Sequence, residues 1–110
     1  KQLQKNALEI GAYLKKELLA LATQFPIIGD VRGEGLFLGI ELVDKNLNPL
    51  ANHADYIANR MKDHGILMST DGPDHNVLKI KPPMVFSLQN AKELLGYLKK
   101  ILGEDFMKNF

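Results

Sequence analysis

Two alternating lysines, Lys79 and Lys81, are the side chains of this sequence best placed to meet a ligand. They interleave with Leu78 and Ile80, so in an extended strand the ammonium groups share one face and the apolar side chains the other. A double proline, Pro82-Pro83, follows at once. Proline cannot donate to a sheet ladder, and this fixes where the strand stops. Two cations on a stiff element can hold an anionic group, and the same pattern equally suits a strand face left in water. Arg32, one of only two arginines, stands among glycines; a surface guanidinium bridging loops is its simpler reading. Asn76, just before the strand, is better suited to fixing a turn through side-chain-to-backbone bonds than to touching a ligand. On local grounds Lys79 and Lys81 stay open between the two readings, with Arg32 and Asn76 kept beside them as residues that could meet a ligand.

Other chemistries find less support. His53, His64 and His75 are far apart and lack a metal-ligand spacing such as HxxxH, and a metal wants several converging ligands. Ser69, Thr70 and Ser87 have no His–Asp pattern that would make a triad, and Ser87 reads as a helix cap. The glycine-rich joint Gly29–Gly35 precedes a strand rather than a helix, so its amides do not form the helix-terminus cradle that phosphate loops use.

The elements around these residues follow from periodicity. Leu3, Ala7, Ile10, Leu14, Leu18 and Leu21 recur at three- and four-residue steps, which predicts an amphipathic helix over Lys1–Thr23. Ile27-Ile28 and Leu36–Val43 read as strands joined by Gly29–Gly35 in a hairpin or bulge. The run LFLGIELV suits a strand covered on both faces, and Gly39 within it marks a close approach by another group. Asn52 is placed to cap a second helix with Ala54, Ile57, Ala58 and Met61 inward, and Gly65 to end it in a left-handed cap. Ile66–Ser69 is a short strand, Asp71-Gly72-Pro73-Asp74 a turn, and Val77–Lys81 the strand that presents the lysines. Met84–Phe86 is extended. Ser87 caps a third helix whose inner face is Ala91, Leu94, Leu95, Leu98, Ile101 and Leu102, with Gly103 near its end. The order α-β-β-α-β-β-α predicts an α+β fold, one small and mainly antiparallel sheet packed with helices.

The 110 residues suit a single domain over 1–110, with no repeat or internal boundary. Fourteen basic residues face thirteen acidic ones, and no basic run is interleaved with aromatics, which speaks against nucleic acid as a partner. No apolar run reaches the length of a membrane span, and no signal peptide is visible. The absence of cysteine rules out disulfides and thiolate metal sites and fits a reducing compartment. The chain opens on Lys1 and enters a helical pattern immediately, as expected of a domain from a longer protein. By residue chemistry alone this is an α+β domain with one cationic strand face and no self-sufficient catalytic set.

Two segments carry a family resemblance: IIGDVRGEGLFLGIELV (Ile27–Val43) and STDGPDHNVLKIKPPMVF (Ser69–Phe86). Together they resemble the C-terminal small domain of class III aminotransferases, pyridoxal-phosphate enzymes of fold type I, and the match runs from the first helix to the last. The pattern VRG-x-GL-x-x-GIEL is shared across that class. The pattern STDGP-x-x-N-V-L-K-I-K-P-P-M is narrower and is similar to the branch containing ethanolamine-phosphate and phosphohydroxylysine phospho-lyases. In ornithine- and 4-aminobutyrate-type members an arginine stands three residues before the first proline and faces the active site; here that position is Lys79. A guanidinium fork matches a carboxylate bidentately, whereas an ammonium is a compact point charge. The exchange suits a substrate without a carboxylate, such as phosphoethanolamine. Lys81 gains less, because its position varies across the class.

The resemblance also implies what surrounds the domain. It would close the active site of a pyridoxal-phosphate enzyme and help select an amine substrate. Partners would be the large cofactor-binding domain of the same chain and a second copy in a homodimer. In that family the Schiff-base lysine and most cofactor contacts lie upstream, so no catalytic or cofactor-binding residue is assigned here, and the isolated chain is expected to be inactive. The cofactor takes up the electrons left when the substrate loses a proton. A phosphate on the neighbouring carbon can then leave, and without one transamination follows. The location implied is cytoplasmic, with the mitochondrial matrix as the alternative. Two other readings stay open: the same domain of a true transaminase, and a free-standing α+β interaction module without catalysis.

Overall fold

The computed structural model describes residues 2–35, 37–80 and 86–110, without the side chains of 2–7 and 34. The expectations for Lys1, Leu36, Lys81, Pro82, Pro83, Met84 and Val85, and for the side chains of Leu3 and Ala7, lie outside the described residues.

The apolar stripe of the first segment folds as α1 (Gln2–Gln24), burying Ile10, Leu14, Leu18 and Leu21. Two strands follow, β1 (Ile28–Glu34) and β2 (Phe37–Leu42), then α2 (Ala51–Asp63), β3 (Met68–Asp71), β4 (Val77–Ile80), α3 (Leu88–Leu102) and a 3-10 turn over Asp105–Lys108. The strands form one sheet in the order β1-β2-β4-β3 with every neighbour antiparallel. Val31, Leu38, Ile40, Leu42, Leu78 and Ile80 join the inward faces of all three helices in one core. The helices therefore cover one face of the sheet. This is the α+β architecture that the periodicities predict.

Three boundaries differ, each for a tertiary reason. The joint Gly29–Gly35 is mostly strand: β1 pairs with β2 from Ile28 to Glu34, with a register shift between Ile28 and Asp30 that makes Gly29 a bulge. Its composition is poor for a strand, and the partner strand supplies the order. Arg32 accordingly lies in a strand, not in a turn. Asn52 does not cap α2; Leu50 holds the N-cap position and no side chain caps it. The Asp44 carboxylate accepts from the amides of Asn46 and Asn48 at 2.8 and 2.9 Å, and the Leu50 amide donates to the Leu42 carbonyl at 3.1 Å. This folded loop delivers the chain to α2. Finally, β3 runs over Met68–Asp71 rather than Ile66–Ser69: its pairing with β4 starts at Met68↔Ile80 and extends to Asp71↔Val77, which draws Asp71 out of the turn.

The expected termini are otherwise present. Gly65, at φ 78°, donates to the Lys62 carbonyl at 2.9 Å, and Ile66 donates to the Met61 carbonyl at 3.0 Å, a Schellman closure. Ser87 accepts from the Asn90 amide at 3.0 Å while the Asn90 side chain accepts from the Ser87 amide at 3.0 Å, completing a capping box.

The last residues fold back on α2. Tyr56 stacks on Phe106 with ring centroids 4.5 Å apart. Arg60 donates to Glu104 through Nε at 3.0 Å and Nη2 at 2.7 Å, a two-pronged pair that Tyr56 joins. The Arg60 bonds, with the Tyr56 bond second, hold the Glu104 carboxyl down to about 2 from its ordinary 4.5. A folded pKa below the unfolded one means the contribution is complete above about pH 4.5 and lost as pH falls towards 2. Glu104→Gln is therefore expected to be less stable than wild type at pH 7, with the gap narrowing below pH 4.5. Urea melts at pH 7 and pH 3 check this, and an equal gap at both would count against it.

Candidate functional site

Opposite residues of an antiparallel pair share a face, and the register turns this rule into two rows on the sheet face away from the helices. Arg32 pairs with Gly39, Gly39 with Lys79, and Lys79 with Ser69, one row across all four strands. The next row is Asp30, Glu41, Val77 and Asp71. Cations thus stand in one row and carboxylates in its neighbour. Gly39 has no side chain, so the row dips between Arg32 and Lys79. A Cβ there would lie 3.2 Å from Val77 Cγ1, tight enough to require a shift. The dip opens a groove of about 410 Å³ lined by Arg32, Phe37, Gly39, Gly72, Val77 and Lys79. Phe37, at 88% exposure, stands at its rim.

The two cations differ in how firmly they are held. Arg32 Nη1 donates to Asp30 at 2.8 Å and lies 3.5 Å from Glu41. The Asp30 bond raises the guanidinium pKa above its ordinary value, so the group is a permanent cation neutralised by its own sheet. Arg32 bridges strands, where the sequence suggested loops. Lys79 is 59% exposed, and its Nζ is 3.7 Å from Asp71 Oδ2, beyond hydrogen-bond range. Asn76 is 3% exposed; its amide donates to the Leu42 carbonyl at 2.8 Å, and its own carbonyl accepts from the Leu42 amide at 3.0 Å. It ties the start of β4 to the end of β2, a backbone role at longer range than the turn bond expected of it. The structure thus brings Lys79 and Arg32 to one groove and seats Asn76 beneath the sheet's end, while Lys81 lies outside the described residues.

Gly39 in the groove, and Ser69 and Asp71 beside Lys79 on the same sheet face, are residues that spacing does not single out as a site. Only Gly39 left a signal, as a glycine within a strand. A larger cavity of about 530 Å³ lies between the end of α2 and α3, with Ile66, Leu67, Phe86 and Leu94 beside the stacked rings of His64 and Tyr97. No lysine or arginine lines it among the described residues, so an anionic group is better served by the groove beside Lys79.

The N-terminus of α3 is satisfied by its own capping box, and the glycines of β1 belong to a sheet ladder. Lys15, the described lysine with a polar bond into the fold, donates to the Gly33 carbonyl at 3.1 Å. Among the described residues no helix is long and apolar enough to cross a membrane.

The fold and motifs together define the class. The model of the class III aminotransferase family matches residues 1–102, and the chain belongs to that family. Its members depend on pyridoxal phosphate. An alanine–glyoxylate aminotransferase 2-like protein of Drosophila melanogaster is 52% identical over 99 residues, covering 86% of this chain and 20% of the relative. Ethanolamine-phosphate phospho-lyase homolog 1 of Caenorhabditis elegans is 41% identical over 98 residues, covering 86% and 21%. The structure of an Arthrobacter phospholyase in complex with phosphoethanolamine superposes with a TM-score of 0.88 at 37% identity, over 94% of this chain and 25% of that one. The chain thus spans about a fifth of the length of the curated relatives it matches.

Proposed function

We propose that residues 1–110 are the single C-terminal small domain of a pyridoxal-phosphate-dependent phospho-lyase acting on a phosphorylated amine such as phosphoethanolamine. The observation that carries this reading is Lys79: an exposed ammonium on a strand paired on both sides, at the wall of a groove, on the sheet face away from the described helices. A flexible point charge suits a tetrahedral phosphate, whose oxygens it can approach from many directions. Held beside the phosphate, the ammonium binds it in the ground state and stabilises the charge that gathers there as the carbon–oxygen bond breaks. The similarity to a phospholyase solved with phosphoethanolamine supports the substrate class. In this reading the cofactor is held by a large domain of the same polypeptide, where it supplies the sink for the electrons released at the substrate carbon.

The uncovered sheet face and the exposed Phe37 are the surface that domain would meet, and the small domain would close the active site from there. Without it the chain is catalytically inert. The intact enzyme is a homodimer in the cytoplasm or the mitochondrial matrix, without a nucleic-acid or membrane partner. Amino transfer is the second reading, favoured by the name of the Drosophila relative.

The test is product analysis with the full-length enzyme and phosphoethanolamine. Inorganic phosphate and aldehyde are expected in equal amounts without any keto-acid acceptor. Turnover that requires an acceptor and releases no phosphate would support the transaminase instead. A native reading frame that encodes only these residues would favour the non-catalytic interaction module.

A further inference from the structure

Lys79, on the groove wall, has two close neighbours on the same sheet face. Asp71 Oδ2 lies 3.7 Å from its Nζ, and the same oxygen accepts from Ser69 Oγ at 3.2 Å. Ser69 is directly opposite Lys79 in the ladder, and Asp71 is in the neighbouring row on the same face. The carboxylate is thus tethered by the strand that faces the ammonium. Both partners are well exposed, and an ion pair of this length is weak enough for an incoming oxyanion to displace. Arg32 is in the opposite condition, with one carboxylate at 2.8 Å and another at 3.5 Å to give up. Of the two described cations on the groove, Lys79 is the one an anion can recruit, and Asp71 is the group that anion must displace.

We propose that Asp71 is a positioning residue for Lys79: it is the resident counter-ion that keeps the ammonium at the groove and sets how tightly the groove takes a phosphorylated amine. The inference rests on the reading of Lys79 given above. Asp71→Asn keeps the shape and an acceptor for Ser69 while removing the charge, which frees Lys79 from its competitor. In the full-length holoenzyme KM for phosphoethanolamine is expected to fall about three- to tenfold, as does the calorimetric Kd of inorganic phosphate, for loss of one opposing charge near a solvent-exposed site. Asp71→Glu, which keeps the charge, should stay near wild type. In a Lys79→Ala background the gain from Asp71→Asn should shrink to less than about twofold, because no ammonium is left to release.

A purely structural role would give the same change in both backgrounds. That result, or binding left unchanged or weakened by Asp71→Asn, overturns the proposal, while Lys79 keeps its role so long as Lys79→Ala itself weakens phosphoethanolamine. A silent Lys79→Ala removes the underlying reading and this inference with it.

Discussion

Lys79→Ala in the full-length enzyme is expected to lower kcat/KM for phosphoethanolamine by about ten- to two-hundredfold, the equivalent of about 1.4–3 kcal/mol for a lost charge-assisted hydrogen bond. The strand supplies the reason for an effect of this size. β4 is paired on both sides, with Gly39 of β2 and Ser69 of β3 flanking Lys79, so the base of the side chain is fixed before substrate arrives. Most of the loss should appear in KM, since the ammonium meets the phosphate already in the bound ground state. Lys79→Arg should recover only part of the activity, because the guanidinium is longer and planar and its fork can pair more firmly with the neighbouring Asp71 carboxylate. A solvated strand lysine would behave differently, with substitution changing stability by no more than about 0.5 kcal/mol and catalysis not at all. Steady-state kinetics beside Lys92→Ala, an exposed residue of α3 outside the groove, decide between them. Equal behaviour of the two variants would mean that the cationic face is only surface.

Gly11→Ala should be among the most damaging single-methyl changes in the chain, although helix propensity alone favours it. In an exposed helix position the exchange stabilises by about 1 kcal/mol. At Gly11, however, α1 meets the tip of the β1–β2 hairpin so closely that an added Cβ would overlap the Gly35 carbonyl, its oxygen and carbon alike. A backbone carbonyl cannot rotate aside as a side chain can. Either the helix or the hairpin must move, and Gly35 itself needs its φ of 60°. The overlap outweighs the propensity, and a net loss of about 2–4 kcal/mol is expected, or roughly 10–20 °C in Tm for a domain of this size. Gly96→Ala is the contrasting case: it lies in α3 with nothing within 4 Å of an added Cβ, so it should stabilise by about 1 kcal/mol. Thermal melts of the two variants side by side test the argument. A neutral Gly11→Ala would show that helix and hairpin can part without cost.

The hairpin tip links this packing to the groove. Phe37 and Gly39 of β2 both line it, and Lys15 of α1 donates to the Gly33 carbonyl at 3.1 Å across the same junction. A shift that admits a methyl at Gly11 would therefore also tilt the groove wall that Arg32 and Phe37 form.

The sequence by itself determined the elements whose order is local. The three helices were legible because a stripe repeating every three to four residues has one stable use, burial of one face. Gly65 and Ser87 were legible because their end geometries need a left-handed residue or a side-chain acceptor. The alternation of Leu78 and Ile80 with Lys79 already told which face of β4 meets water, and the motifs on Ile27–Val43 and Ser69–Phe86 already pointed to the family. Only the tertiary structure decided the rest. IGDVRGE is a poor strand by composition and became β1 because β2 offered it a ladder. The start of α2 was decided by the folded loop around Asp44 and not by Asn52. Above all, Arg32, Gly39, Lys79 and Ser69 share a row, with Asp71 in the row beside it, only because the strands run in the order β1-β2-β4-β3. Residues 32 and 79 become neighbours across Gly39 through hydrogen bonds between distant strands, and no local pattern of residue types encodes which strand will pair with which, or in what register.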